Sequence, residues 1–82
     1  MRFHARVQVR LKEAYYDPEG ETTRNSLVGL KYSVDEVRVS KQFDIIFEAD
    51  SLESARSEID EMSRRLLSNP VKDDYHLEIE EI

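Results

Sequence analysis

The chain has 82 residues, no Cys and only two Gly, and its 12 basic and 18 acidic side chains leave a net charge of −6. One core of this size sits near the lower limit of self-sufficiency, and without Cys neither disulfides nor thiolate-bound metal can reinforce it. The acidic balance works against binding phosphate backbones, and the longest run of large apolar residues, Ile45-Ile46-Phe47, is far too short to cross a bilayer.

These bounds give a single domain over residues 1–82, cytoplasmic, with no nucleic-acid or membrane partner. Burial against another chain is the remaining remedy for a small core, so a homo-oligomer is expected. Residues 2–12 alternate cleanly. Phe3, Ala5, Val7, Val9 and Leu11 fall on one side, and Arg2, His4, Arg6, Gln8, Arg10 and Lys12 on the other, as in a half-buried strand. "YYDPEG" then opens a helix over residues 18–31, because Asp17 suits the N-cap and Pro18 the first turn. That helix has few apolar positions (Leu27, Val28, Leu30), and Gly20 and Gly29 lower its propensity.

Two strands follow, over residues 34–39 and 42–49. Val37 and Val39 share a side of the first; Phe43, Ile45, Phe47 and Ala49 share a side of the second. Ser40-Lys41-Gln42 is the expected hairpin turn between them. Asp50 or Ser51 caps a second helix, with Glu53 placed three residues after Asp50 as in a capping box. Leu52, Ala55, Ile59, Met62 and Leu66 form its apolar stripe, while Asp60 with Arg64 and Glu61 with Arg65 are favourable pairs on the wet side. Pro70 stops this helix at Asn69, and Tyr75, Leu77 and Ile79 mark a last strand.

The order strand, helix, strand, strand, helix, strand predicts an α+β, ferredoxin-like βαββαβ fold. It implies an antiparallel four-stranded sheet with two helices on one face. The first and last strands become neighbours, so the basic residues Arg2, Arg6, Arg10 and Lys12 oppose Glu78 and Glu80.

Candidate chemistry is sparse. His4 and His76 lie on outward faces of neighbouring strands, but a metal site would need a third ligand such as Glu78, and surface histidines are the plainer reading. Asp73-Asp74 and Glu80-Glu81 read as solvated acids. No Gly-x-Ser-x-Gly turn presents a nucleophile, and two glycines cannot build a phosphate-cradling loop. Ile46, Ile82 and Val34 on the outer face are candidates for contact with another chain. The residues alone describe a small non-catalytic domain made to associate.

Three stretches carry a resemblance. "VRLKEAYYDPEG" ends a strand in Leu-Lys and opens a helix with Asp-Pro-x-Gly; "DEVRVSKQFDIIFE" follows; and "RRLLSNPVKDDYHLEIEEI" closes on an acidic strand. In this order and length the chain resembles the PurS family, the small subunit of phosphoribosylformylglycinamidine (FGAM) synthase. It departs from the family in Ser40, where Gly is usual, and in a more polar first helix.

The resemblance implies a purine-biosynthesis complex whose small subunit carries no catalytic residue and dimerises, with strands associated or exchanged between copies. Its dimer joins a glutaminase subunit (PurQ), which releases ammonia, to a synthetase subunit (PurL), which uses ATP and Mg; no cofactor is expected on this chain. The positions it singles out for partner contact are Asp17, Pro18 and Gly20 at the first helix start, Lys41 in the hairpin, and Asn69, Val71, Asp74 and Tyr75 after the second helix. Two other readings compete with it. One is a dimeric ferredoxin-like module that senses a small molecule. The other is an acylphosphatase-type enzyme using Asn69 and an Arg, which lacks the required anion-cradling loop.

Overall fold

The computed structural model describes all 82 residues. Strand β1 (Arg2–Leu11) is followed by helix α1 (Pro18–Gly29), strand β2 (Ser40–Glu48), helix α2 (Leu52–Met62), a π-helical turn (Ser63–Leu67) and strand β3 (Asp73–Glu81). The sheet is antiparallel and three-stranded, in the order β2-β1-β3.

Alternation in β1 does what it predicts. Phe3, Ala5 and Val7 are wholly buried, and of the outward residues Arg2, Arg6, Gln8 and Arg10 are exposed while His4 is partly covered. Val7 faces Phe43 on one side and Leu77 on the other, which sets the register of the whole sheet. From above, α2 supplies Ala55 and Ile59, both fully buried. Burying side chains such as Phe3, Val7 and Ile59 contributes roughly 1.5–3 kcal/mol each. As expected, β1 and β3 are neighbours with opposed charge: Arg6 Nη1 donates to Glu78 Oε2 at 3.4 Å.

Several expectations are corrected. Residues 40–42 are no hairpin turn but the first residues of β2, paired with Arg10, Val9 and Gln8. Lys41 is therefore a strand residue opposite Val9. The segment 33–39 does not join the sheet and makes no backbone–backbone hydrogen bond, although β2 and β3 each keep one free edge. The sheet thus has three strands, not four. Helix α1 packs extensively on no other element, so a single helix, α2, covers the sheet. Phe43, Ile45, Phe47, Leu77 and Ile79, though on the covered face, remain only partly buried as a result.

The second helix also departs in detail. Its N-cap is Ser51, whose Oγ accepts the Ser54 backbone N–H at 3.1 Å, while Ser54 Oγ accepts the Ser51 N–H. The capping-box partner is Ser54 rather than Glu53. At the other end Ser68 N–H donates to Ser63 O, one residue beyond the α-helical partner. This wider turn advances the helix face, so Leu67 packs on the core and Leu66 is 83% exposed. Leu52, 45% exposed, likewise leaves the predicted stripe.

The chain is long and open, with extents of 51 × 27 × 14 Å and a radius of gyration of 16.3 Å. A compact chain of this length would have a radius of about 12 Å.

Candidate interface at the end of the sheet

Asp17 ends the loop after β1, and its carboxylate is shared. Oδ1 accepts the Gly20 N–H at 3.0 Å and caps α1, with Pro18 in the first turn; Oδ2 accepts the Val39 N–H at 2.8 Å. These two backbone donors, Val39 foremost, and the nearby Arg38 hold the Asp17 carboxyl below its usual range. Gly20 is buried because the chain crosses it there: a Cβ at this position would overlap the Val37 carbonyl oxygen. Arg38 completes the tie. Its guanidinium donates to the carbonyls of Tyr15 and Lys12 at 3.0 Å each, and to that of Leu11 at 3.3 Å.

The exit of the second helix meets the same end of the sheet. Asn69 Oδ1 accepts the Val71 N–H at 3.0 Å, and the Asn69 N–H donates to Asp73 Oδ2 at 2.8 Å. Tyr15 Oη donates to Val71 O at 3.4 Å, linking this loop to the one before α1. Asp17, Lys41, Leu67, Lys72 and Asp73 line an open cleft of about 270 Å³ between them.

The positions singled out from sequence are therefore mostly brought together. Asp17, Pro18, Gly20, Lys41, Asn69 and Val71 gather at one end of the sheet, with Val71 73% exposed. Asp74 is apart, on the outer face opposite Arg10. Tyr75 turns to the covered face, where its Oη donates to Asp60 Oδ1 at 2.7 Å. That bond, with Arg64 on the other oxygen, lowers the Asp60 pKa; the bond to Asp60 and burial raise that of Tyr75, against a smaller opposing influence of Arg64. His4 and His76 do not face each other; their partners across the ladder are Glu80 and Gln8.

Two contributors escaped sequence reading. Arg38 sits in an alternating Val-Arg-Val run that reads as strand, so its role as a loop clamp left no mark. Ser63, fully buried, donates its Oγ to Ile59 O at 2.8 Å and sits where the π turn begins, a position that helical periodicity takes for ordinary.

Chemically, these side chains are spent on the protein's own backbone. The Asn69 amide oxygen and both Asp17 oxygens are engaged locally, and neither group is paired with a nucleophile. The result is a polar sheet end whose exposed loops are tied together by side-chain hydrogen bonds.

Comparison with known proteins decides the family. Residues 4–81 match the family described as PurS: Phosphoribosylformylglycinamidine (FGAM) synthase. The chain belongs to the PurS family. It is 38% identical over 81 residues to the phosphoribosylformylglycinamidine synthase subunit PurS of Methanocaldococcus jannaschii, covering 98% of each chain. The Archaeoglobus fulgidus PurS subunit is 45% identical over 74 residues, 89% of this chain and 92% of that one. The solved structure of Thermus thermophilus PurS superposes with a TM-score of 0.88 at 36% identity, over 100% of this chain and 99% of that one. A PurS-like fold also matches a chain in the structure of PurLQS from Thermotoga maritima, with a TM-score of 0.85, 29% identity, and 100% and 99% coverage. The open outline of α1 and the three-stranded sheet is thus shared with PurS structures.

Proposed function

We propose that this chain is the non-catalytic small subunit of phosphoribosylformylglycinamidine synthase in purine biosynthesis, working in the cytoplasm as a homodimer that joins the glutaminase to the ATP-dependent synthetase. Family membership supports the enzyme, and the PurLQS structure of a relative supports an assembly with the other subunits. In this reading ATP and Mg are held by the synthetase subunit, and this chain binds no cofactor.

The observation that carries the scaffold role is exposed surface. The chain leaves 6126 Å² accessible, where a compact monomer of its mass would leave about 5,100 Å². The surplus of about 1,000 Å² matches the roughly 800 Å² that each partner buries in a standard interface. Helix α1, which packs extensively on no other element, and the half-covered apolar face of β2 are surfaces a second chain could cover. A second copy that adds segment 33–39 to a sheet edge would supply the fourth strand and the missing cover together.

Such a bridge has a chemical purpose. Ammonia released into neutral water is mostly protonated, and ammonium has no lone pair with which to attack an activated amide. Holding the two active sites around a water-poor route keeps the nucleophile neutral and locally concentrated.

Reconstitution tests this. With purified glutaminase and synthetase, glutamine-dependent turnover should require the chain, whereas ammonia-dependent turnover by the synthetase should proceed without it. Glutamine-dependent turnover that is indifferent to the chain would refute the proposal.

A further inference from the structure

Both ring nitrogens of His4 face carboxylates, and the carboxylates belong to different strands. Nε2 lies 2.9 Å from Asp44 Oδ1 on β2, and Nδ1 lies 3.3 Å from Glu80 Oε1 on β3. A neutral imidazole has one N–H and one lone pair, so it can serve one of these acids and must turn its lone pair on the other. The imidazolium donates to both. The arrangement is complete only with the second proton in place.

We propose that His4 is a proton-operated fastener of the sheet: charged, it donates a hydrogen bond to both edge strands, and neutral, it keeps a donated bond to only one of them. Arg6 makes the same kind of bridge in permanent form, with Nε 3.6 Å from Asp44 Oδ1 and Nη1 3.4 Å from Glu78 Oε2. Two adjacent clamps therefore span the three strands, and only one of them titrates near neutrality. The ring is shielded enough to matter, with 22% of its side chain exposed.

Because α2 covers the opposite face, the charged groups around His4 come from the three strands alone. Asp44 and Glu80 touch the ring, and Arg6 lies beside them; Glu78 contacts Arg6 and, at 3.8 Å, His76. Asp44 first and Glu80 second raise the His4 pKa above its ordinary 6.5, against the opposing effect of partial burial and, less, of Arg6. The sign follows from linkage. A pKa higher in the folded than in the unfolded chain means that the fastener's contribution is full below pH 6.5 and is lost as pH rises through the folded value.

The test is an NMR titration of the His4 ring in the full chain, paired with thermal unfolding from below pH 6.5 to well above it. His4 should titrate above 6.5, and Asp44→Asn should bring its midpoint back towards 6.5. The wild-type Tm should fall by a few degrees as pH passes the midpoint, and His4→Asn, with His76 still in place, should lose that fall. A His4 midpoint at or below 6.5, or an undiminished pH slope in His4→Asn, overturns the proposal. Should His4→Asn fold poorly, the wild-type and Asp44→Asn titrations decide it alone.

Discussion

Asp17 and Val39 stand 22 positions apart, yet Asp17 Oδ2 accepts the Val39 N–H at 2.8 Å. The other oxygen of the same carboxylate caps α1 through Gly20. One side chain thus starts a helix and sets where β2 begins. Asp17→Asn separates the two tasks, since an amide keeps one accepting oxygen for the cap and presents an NH₂ that cannot accept from Val39. By amide hydrogen exchange, Gly20 should stay protected while Val39 exchanges about tenfold faster. The pH sign is the acid-side one. The Asp17 carboxyl is held below 3.8, so its contribution is present above pH 3.8 and is lost as pH falls through the folded value. The Asn variant should lack that loss. Unchanged Val39 protection would mean that the tie is not made in solution.

The two glycines should respond to alanine with opposite signs. At Gly20 a Cβ would run into the Val37 carbonyl and the Asp17 carboxylate, so Gly20→Ala must push segment 33–39 away from α1. A cost of about 1–3 kcal/mol is expected, as for other overpacked sites. Around Gly29 nothing lies within 4 Å of a new Cβ, and its φ is not positive. Gly29→Ala should therefore stabilise by about 0.4–1 kcal/mol, chiefly by restricting the unfolded chain. Urea unfolding of both variants at one protein concentration checks the pair.

Lys31 carries a φ of 76°, the only positive value at a non-glycine residue. It follows the Leu30 cap of α1, where the Lys31 N–H donates to Val28 O and the Tyr32 N–H donates to Leu27 O. Those two bonds are the Schellman closure, a place that favours Gly because the left-handed conformation strains any Cβ by about 1–2 kcal/mol. Lys31→Gly should relieve part of this and raise stability by roughly 0.5–1 kcal/mol. A loss of stability on thermal unfolding would show that the lysine side chain earns its place by a contact of its own.

How much could be read beforehand depended on whether the deciding neighbour was encoded locally. Strands β1 and β3 were legible, because alternation and opposed charge both survive in the sequence, and Arg6 meets Glu78 as predicted. Asp17 was legible as a cap, but its second bond to Val39 was not, since nothing local marks a partner so distant. The turn expected at Ser40-Lys41-Gln42 failed because these three exposed polar residues, which show no alternation of their own, extend β2 by pairing with Arg10, Val9 and Gln8 of β1. Val37 and Val39 do alternate like a strand. A strand also needs a ladder partner, however, and within this chain the segment pairs with neither of the free edges, on β2 and β3. Of the candidate site, the gathering of Asp17, Lys41 and Asn69 at one sheet end followed from topology, while Asp74 fell on the other face by simple parity.

Leu66 and Leu67 test the least legible feature. A regular α-helix would continue the stripe of Ala55, Ile59 and Met62 to Leu66. The π turn at Ser63–Leu67 inserts an extra residue and delivers Leu67 to the core. Leu67 is partly rather than wholly buried, so Leu67→Ala should cost about 1–3 kcal/mol, at or below the usual range for a core leucine. Leu66→Ala removes a side chain that is 83% exposed and should stay within about 0.5 kcal/mol. Denaturant unfolding of the two variants at equal concentration distinguishes the registers. If Leu66→Ala is the costlier change, the helix continues with α-helical spacing and Leu66, not Leu67, closes the core.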